Sequence, residues 1–303
     1  MIPFQRDFDP NYGQAMGVSP LIRRVVAENP GPFTYTGTGA HIVGRGRVAV
    51  IDPGPDDPRQ LEAILAATWG ETVSHIFVTH SHMDHSPLAR PLAEATGAAI
   101  YAGGEACKAS DGGARLEAGD DLRFRPDVPL VDRQRFYGPN WSIEAVATPG
   151  HTSNHFAYAL IEENALFPGE CVMGWSTSVI SPPDGDMGDY LASLEKIRAR
   201  RFRTLLPAHG PPIRTPAPFL AAYIDHRRRR EAEILDALEV LGPTSIRRMV
   251  ALIYAEVDRR LHPAACHTVL AHLIHLMREG LVECSTLPTL GAVYRPARLR
   301  KAA

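Results

Sequence analysis

Residues 79–86, THSHMDHS, place three histidines and an aspartate within six consecutive positions, His80 to His85. Imidazole and carboxylate together suit borderline divalent metals, provided the groups converge in space. The preceding run SHIFVTH is rich in β-forming residues and delivers the cluster at the C-terminal end of a strand. His80 and His82, two apart at a strand end, can face one side, while Asp84 and His85 enter the next turn and face a neighbouring position. One ion cannot easily take all four groups from so tight a segment, but two adjacent ions can share them. Three more candidates occupy similar places, each at a strand end beside glycine or proline: His151 in TPGHTSNH, Glu170 in LFPGECVMG and His209 in LPAHGPP.

The chain around these motifs has 303 residues, with apolar and charged fractions near globular averages. That length suits one large domain or two unequal ones with a sizeable core. No apolar run approaches the roughly 18 residues of a membrane span, and MIPFQRDFDP lacks a signal pattern, so a cytoplasmic protein without membrane attachment is expected. Four scattered cysteines, Cys107, Cys171, Cys266 and Cys284, read as reduced packing residues. From His226 onward there are 13 Lys and Arg against 8 Asp and Glu, a net of +5, so the rest carries −7 of the overall −2. An acidic body with a basic tail fits two modules, and equally a helical domain with a basic solvated face.

The first two-thirds alternate between strand-like and helix-like segments. Strands are expected at 34–38, 41–43, 48–51, 73–79, 142–148, 156–160, 165–167 and 204–206. Helices are expected at 59–69, 87–96 (capped by Ser86, with Pro87 in its first turn) and 188–201. Beyond residue 217 the pattern turns helical at 218–241, 245–257 and 263–279, followed by two short strands around a turn. Three helices and a hairpin are the winged-helix order, which divides the chain into residues 1–222 and 223–303. The Arg227–Arg230 run reads as a solvated helix surface, because four adjacent helical residues spread around the axis. The segment PAACHTVLAHLIHLMREG is largely apolar with three histidines, His267, His272 and His275, which favours packing or homodimerisation over groove reading.

Other histidines weigh less. His75, His226 and His262 read as surface or core-edge residues, and His155 as a supporting or structural one. Cys171 points away from its neighbour Glu170 if both lie on a strand, and reads as a packed thiol. Trp141, Trp175 and Tyr190 read as packing.

The order IDPGP, THSHMDHS, TPGHTSNH, LFPGE and LPAHGPP resembles the metallo-β-lactamase superfamily. The tail AHGPPI…YIDHRRRREAEIL with a winged-helix-like segment looks like its β-lactamase-like protein 2 branch, whose animal members are mitochondrial endoribonucleases. The resemblance implies an α+β fold, a four-layer αβ/βα sandwich with a small C-terminal winged-helix domain. It also implies one ion on His80, His82 and His151, and a second on Asp84, His85 and His209; zinc is expected first, with manganese or iron as alternatives, since histidine–carboxylate sites accept all three. The family's bridging carboxylate is normally the aspartate of a GD pair, whereas this chain has Gly169-Glu170. Glutamate adds one methylene, about 1.5 Å of reach, so the site is intact with Glu170 bent in, holds one weak ion, or is degenerate. The presence of every other ligand favours the first.

The expected chemistry is hydrolysis by a metal-bound hydroxide, and the resemblance implies that Asp84 orients it. The substrate is then a small ester, thioester or lactone. The competing readings are phosphodiester cleavage of single-stranded RNA, and a non-enzymatic winged-helix binding protein with a decayed metal site.

Overall fold

The computed structural model describes residues 1–105 and 119–297, so Cys107 lies outside the described residues. Two sheets face each other. The first runs, in spatial and chain order, β1 (Met16–Gly17), β2 (Ile22–Val26), β3 (Gly39–Val43), β4 (Arg47–Ile51), β5 (Thr72–Phe77), β6 (Ala99–Ala102) and β7 (Val128–Pro129). Its strands pair antiparallel as far as β4 and parallel from there on. The second sheet contains β8 (Arg135–Tyr137), β9 (Ser142–Ala147), β10 (Phe156–Leu160), β11 (Ala165–Phe167) and β12 (Thr204–Leu205), in the order β12-β11-β10-β9-β8.

Side-chain alternation makes the layers. On β4, Ala49 and Ile51 enter the core between the sheets, while Val48 and Val50 face α1 (Pro58–Ala67) and α2 (Ala89–Thr96). On β10, Phe156, Tyr158 and Leu160 enter the same inter-sheet core, while Ala157 and Ala159 face α3 (Met187–Ala199) and α4 (Pro216–Leu241). A strand covered on both faces reads as a continuous apolar run, and FAYAL is buried throughout. Helices, sheet, sheet and helices are therefore stacked as four layers.

The remaining described elements are β13 (Thr244–Ser245), α5 (Ile246–Ile253), a short 3₁₀ turn (Arg259–Leu261), α6 (His262–Arg278), β14 (Val282–Cys284) and β15 (Val293–Pro296). The three strands form a small sheet in the order β13-β15-β14 over α5 and α6. The expected division at residue 222 falls inside α4, which is one helix. Its Phe219, Leu220, Tyr223 and Ile224 pack in the second-sheet layer, and its Ile234, Ala237 and Leu238 pack with α5 and α6. Among the described residues no helix is long and apolar enough to cross a membrane.

Three local expectations are corrected. Residues 34–38 form a turn with an isolated Gly31–Tyr35 bridge rather than a strand, because Tyr35 takes a left-handed φ of 57° that breaks an extended run. The helix expected from Pro87 begins at Ala89, and Ser86 is not its cap. The Ser86 hydroxyl serves instead at His82 O (3.1 Å) and the Asp121 carboxylate (3.3 Å). Arg227 is no solvated residue: it is 2% exposed, whereas Arg228, in the same run, has an exposed side chain.

Candidate metal centre

All seven candidate residues meet at one end of the two sheets. His80, His82, Asp84 and His85 follow β5, His151 lies in the β9–β10 turn, Glu170 follows β11 and His209 follows β12. They fall into two groups, each with its ligand atoms within 4.8 Å of one another: His80, His82, His151 and Glu170 in one, Asp84, His85, Glu170 and His209 in the other. Glu170 belongs to both. Its Oε2 lies 2.9 Å from His151 Nε2, and its Oε1 lies 2.7 Å from His209 Nε2 and 3.6 Å from His85 Nε2. Asp84 Oδ2 sits 3.3 Å from both His85 Nε2 and His209 Nε2. The longer side chain of glutamate thus reaches both groups.

Local backbone makes that reach available. Gly169 adopts φ 54°, and a Cβ there would come within 2.6 Å of His155 Nε2 and 2.9 Å of the Thr79 side chain. Only glycine fits this approach without displacing the neighbours. His155, weighed as supporting or structural, lies under Glu170: its Nδ1 bonds Thr148 Oγ1 at 2.8 Å and its Nε2 accepts from the Glu170 N–H at 3.3 Å.

Four histidines have the ring nitrogen remote from the centre tied to the protein. Thr79 Oγ1 donates to Asp52 Oδ2 (2.8 Å), so it accepts from His80 Nδ1–H at 3.0 Å. His85 Nδ1 donates to Asp52 Oδ2 (3.1 Å), His151 Nδ1 to Val179 O (2.8 Å) and His209 Nδ1 to Gly37 O (3.2 Å). Each bond turns its ring so that Nε2 faces the centre, which is how outer partners orient histidines for a metal. His82 is turned the other way, with Nδ1 3.3 Å from His151 Nε2 and Nε2 3.7 Å from Asp120 Oδ1.

Electrostatics separates the two groups. Burial, with His85, His82 and His151 alongside, holds the His80 imidazole well below the usual histidine range. Burial and His151 push His82 down to about 3. Burial would lower His209 as well, but hydrogen bonds to Asp84 and Glu170 win and raise it to about 9. His85 goes the same way, well above its ordinary value, because Asp84 and Asp52 outweigh burial. Glu170, though fully buried, is held below the carboxylate range by His151 first and then by His209 and His85.

The donor set fits divalent cations. His80 Nε2 is buried with no hydrogen-bond partner, a costly arrangement that an ion would relieve. His82 Nδ1 and His151 Nε2 face each other as two ring nitrogens can when both ligate one cation. Imidazoles with carboxylates accept zinc, manganese or iron.

Several functional partners carry no clear sequence signal. Asp52 lies in the quoted IDPGP motif, yet its role as the joint acceptor from Thr79 and His85 emerges only in three dimensions; its φ of 49° turns the chain there. Val179 and Gly37 act through backbone carbonyls, which no residue type announces. Of the lesser candidates, Cys171 is fully buried, and burial pushes its thiol up to about 12, which suits packing rather than ligation. Trp141 and Tyr190 are core residues, and Trp175 stacks on Tyr35 with centroids 4.9 Å apart. Asp52→Asn is expected to weaken divalent-metal affinity by about 10–100-fold while leaving Thr79 N with an acceptor. A zinc titration of the variant checks this, and unchanged affinity would remove Asp52 from the site.

Comparison with known proteins bears on this geometry. The family model described as the metallo-beta-lactamase superfamily matches residues 40–209, and the beta-lactamase associated winged helix domain matches residues 245–286. A Drosophila melanogaster protein named beta-lactamase-like protein 2 homolog is 32% identical over 86% of this chain and 89% of its own length. An Aspergillus fumigatus protein named atrochrysone carboxyl ACP thioesterase is 33% identical over 73% of this chain and 66% of its own. The crystal structure of a beta-lactamase domain protein from Burkholderia ambifaria superposes with a TM-score of 0.79 at 22% identity, over 98% of this chain and 97% of that one.

Proposed function

The chain belongs to the metallo-β-lactamase superfamily, and from that premise we propose that it is a metal-dependent hydrolase of carbonyl substrates, thioesters foremost. The observation that carries the reading is Glu170, whose two oxygens reach the two groups of ligands separately. His80, His82 and His151 would hold one ion and Asp84, His85 and His209 the other. Two divalent ions held so supply activation of water near neutral pH and polarisation of the scissile carbonyl.

The chain's own groups do the rest. Asp84, kept ionised by His85 and His209 despite burial, would accept a hydrogen bond from the attacking water and orient it. Asp52, Thr79, Val179 O and Gly37 O hold the imidazoles in one orientation, so little reorganisation accompanies the reaction. The ligands are almost entirely shielded from bulk solvent, which strengthens every charge interaction among them. Thioesters are favoured over the wider ester and lactone class by relatives whose names state thioesterase activity and which align over about three-quarters of the chain. The C-terminal helices favour no nucleic-acid reading: His267, His272 and His275 of α6 engage Ser181 and Glu231 within the chain, and Arg278 pairs with Asp186.

Purified protein loaded with zinc or manganese is to be assayed on acyl thioesters, esters, lactones and labelled single-stranded RNA, before and after chelation. Thioester turnover that is lost with chelator and restored by metal is the expected result. RNA cleavage without acyl hydrolysis would select the phosphodiesterase reading. Turnover that survives complete metal removal would overturn the proposal.

A further inference from the structure

The segment joining Glu170 to α3 touches the metal centre at several places. Ser178 Oγ donates to Glu170 O at 2.6 Å, Val179 O accepts from His151 Nδ1 at 2.8 Å, and Asp186 N donates to Gly150 O at 2.9 Å. The groups that hold this segment come from the C-terminal helices. On α4, Tyr223 Oη accepts from Ser178 N (3.0 Å) and donates to Ser176 O (2.9 Å), and Arg227 Nη2 donates to Ser178 O. On α6, His267 Nδ1 meets Ser181 Oγ at 3.0 Å, and Arg278 pairs with Asp186.

Arg227 is the least expected of these. A guanidinium 2% exposed is costly to desolvate, and buried charges are ordinarily repaid by a carboxylate. Among the described residues no carboxylate lies within ion-pair distance of Arg227. Its hydrogen bond goes to the Ser178 carbonyl, its Nε has no partner, and its guanidinium carbon lies 5.1 Å from the centroid of the Tyr190 ring. Tyr190 in turn donates to Cys171 O, next to Glu170. Such a charge adds little to stability through Coulomb attraction. What it does is fix one carbonyl, at the residue that bonds Glu170 and precedes the His151 acceptor.

We propose that α4 and α6 brace the metal centre, with Arg227 as a positioning residue that sets His151 and Glu170 through the 176–186 segment. The winged-helix region is then part of the scaffold of the site and not an independent appendage. This rests on the metal-centre reading above, and the test separates the two.

The full-length protein, its Arg227→Met and Arg227→Lys variants, and the surface variant Arg278→Ala are titrated with cobalt(II), following both affinity and the ligand-field spectrum. Arg227→Met is expected to bind one of two cobalt ions about 10–100-fold more weakly with an altered spectrum, as loss of an outer partner does elsewhere. Arg227→Lys, which keeps a donor to Ser178 O, should recover most of the affinity. Arg278→Ala, whose side chain is 60% exposed, should shift the spectrum in the same direction by less. If Arg227→Met does not fold, the lysine and Arg278 variants carry the test. Wild-type protein binding two ions alongside variants with identical affinity and spectrum overturns the brace alone. Wild-type protein that takes up no cobalt, zinc or manganese overturns the metal-centre reading and the brace with it.

Discussion

Glu170→Gln is expected to leave at most one tightly held divalent ion and to slow thioester hydrolysis by at least about 10³-fold, the equivalent of the several kcal/mol one ion supplies. Glutamine keeps the length and shape of the side chain but removes the charge shared between the groups. Oε1 and Oε2 now face His209 and His151 respectively, at 2.7 and 2.9 Å. A neutral amide would present an N–H to one of them, which cannot face a cation. Glu170→Asp makes a sharper contrast, because it keeps the carboxylate while shortening the reach by about 1.5 Å. With Gly169 held at φ 54° against Thr79 and His155, the backbone has little freedom to follow. The aspartate variant should therefore also lose metal affinity, and wild-type affinity in it would show that the extra methylene has no role. Metal analysis and steady-state rates on the two variants decide both points.

Gly150→Ala is expected to destabilise the fold by about 3 kcal/mol or more, combining a glycine-only backbone angle with overpacking. Gly150 sits at φ 135°, and a Cβ there would lie 2.3 Å from Tyr190 Cα and 2.5 Å from Tyr190 N. Those are main-chain atoms at the start of α3, so no rotamer change relieves the clash. The substitution also pushes α3 away from Gly150 O, which accepts from Asp186 N, and so disturbs the neighbouring His151. Thermal denaturation should show a clear drop in Tm, with metal affinity falling in parallel. A Tm within one degree of the parent would mean that the β9–β10 turn and α3 are not in tight contact.

The candidate ligands, which the fold brings together, were legible in the sequence for a physical reason. Histidine and acidic residues in short glycine-flanked motifs at strand ends have few structural uses, so residue type and place converge on one chemistry. Strands at 41–43, 48–51, 156–160 and 165–167 were equally legible, because their apolar runs match burial on one or both faces. Less legible was whatever depends on a partner distant in sequence. Asp52 looks like a turn residue until Thr79 and His85 are placed beside it. Ser86 precedes a proline like a helix cap, yet His82 O and Asp121 claim its hydroxyl. An arginine run on a helix looks solvated in sequence, because four successive helical residues spread around the axis. The same geometry requires one of them to face inward, and that residue is Arg227.

The central claim is that the two groups of ligands hold two ions across Glu170. Anomalous diffraction from crystals grown with zinc or manganese measures this directly. Two peaks about 3.5–4 Å apart are expected, one among His80, His82 and His151, the other among Asp84, His85 and His209, with a Glu170 oxygen beside each. A single peak, or two peaks with Glu170 turned away from both, would contradict it.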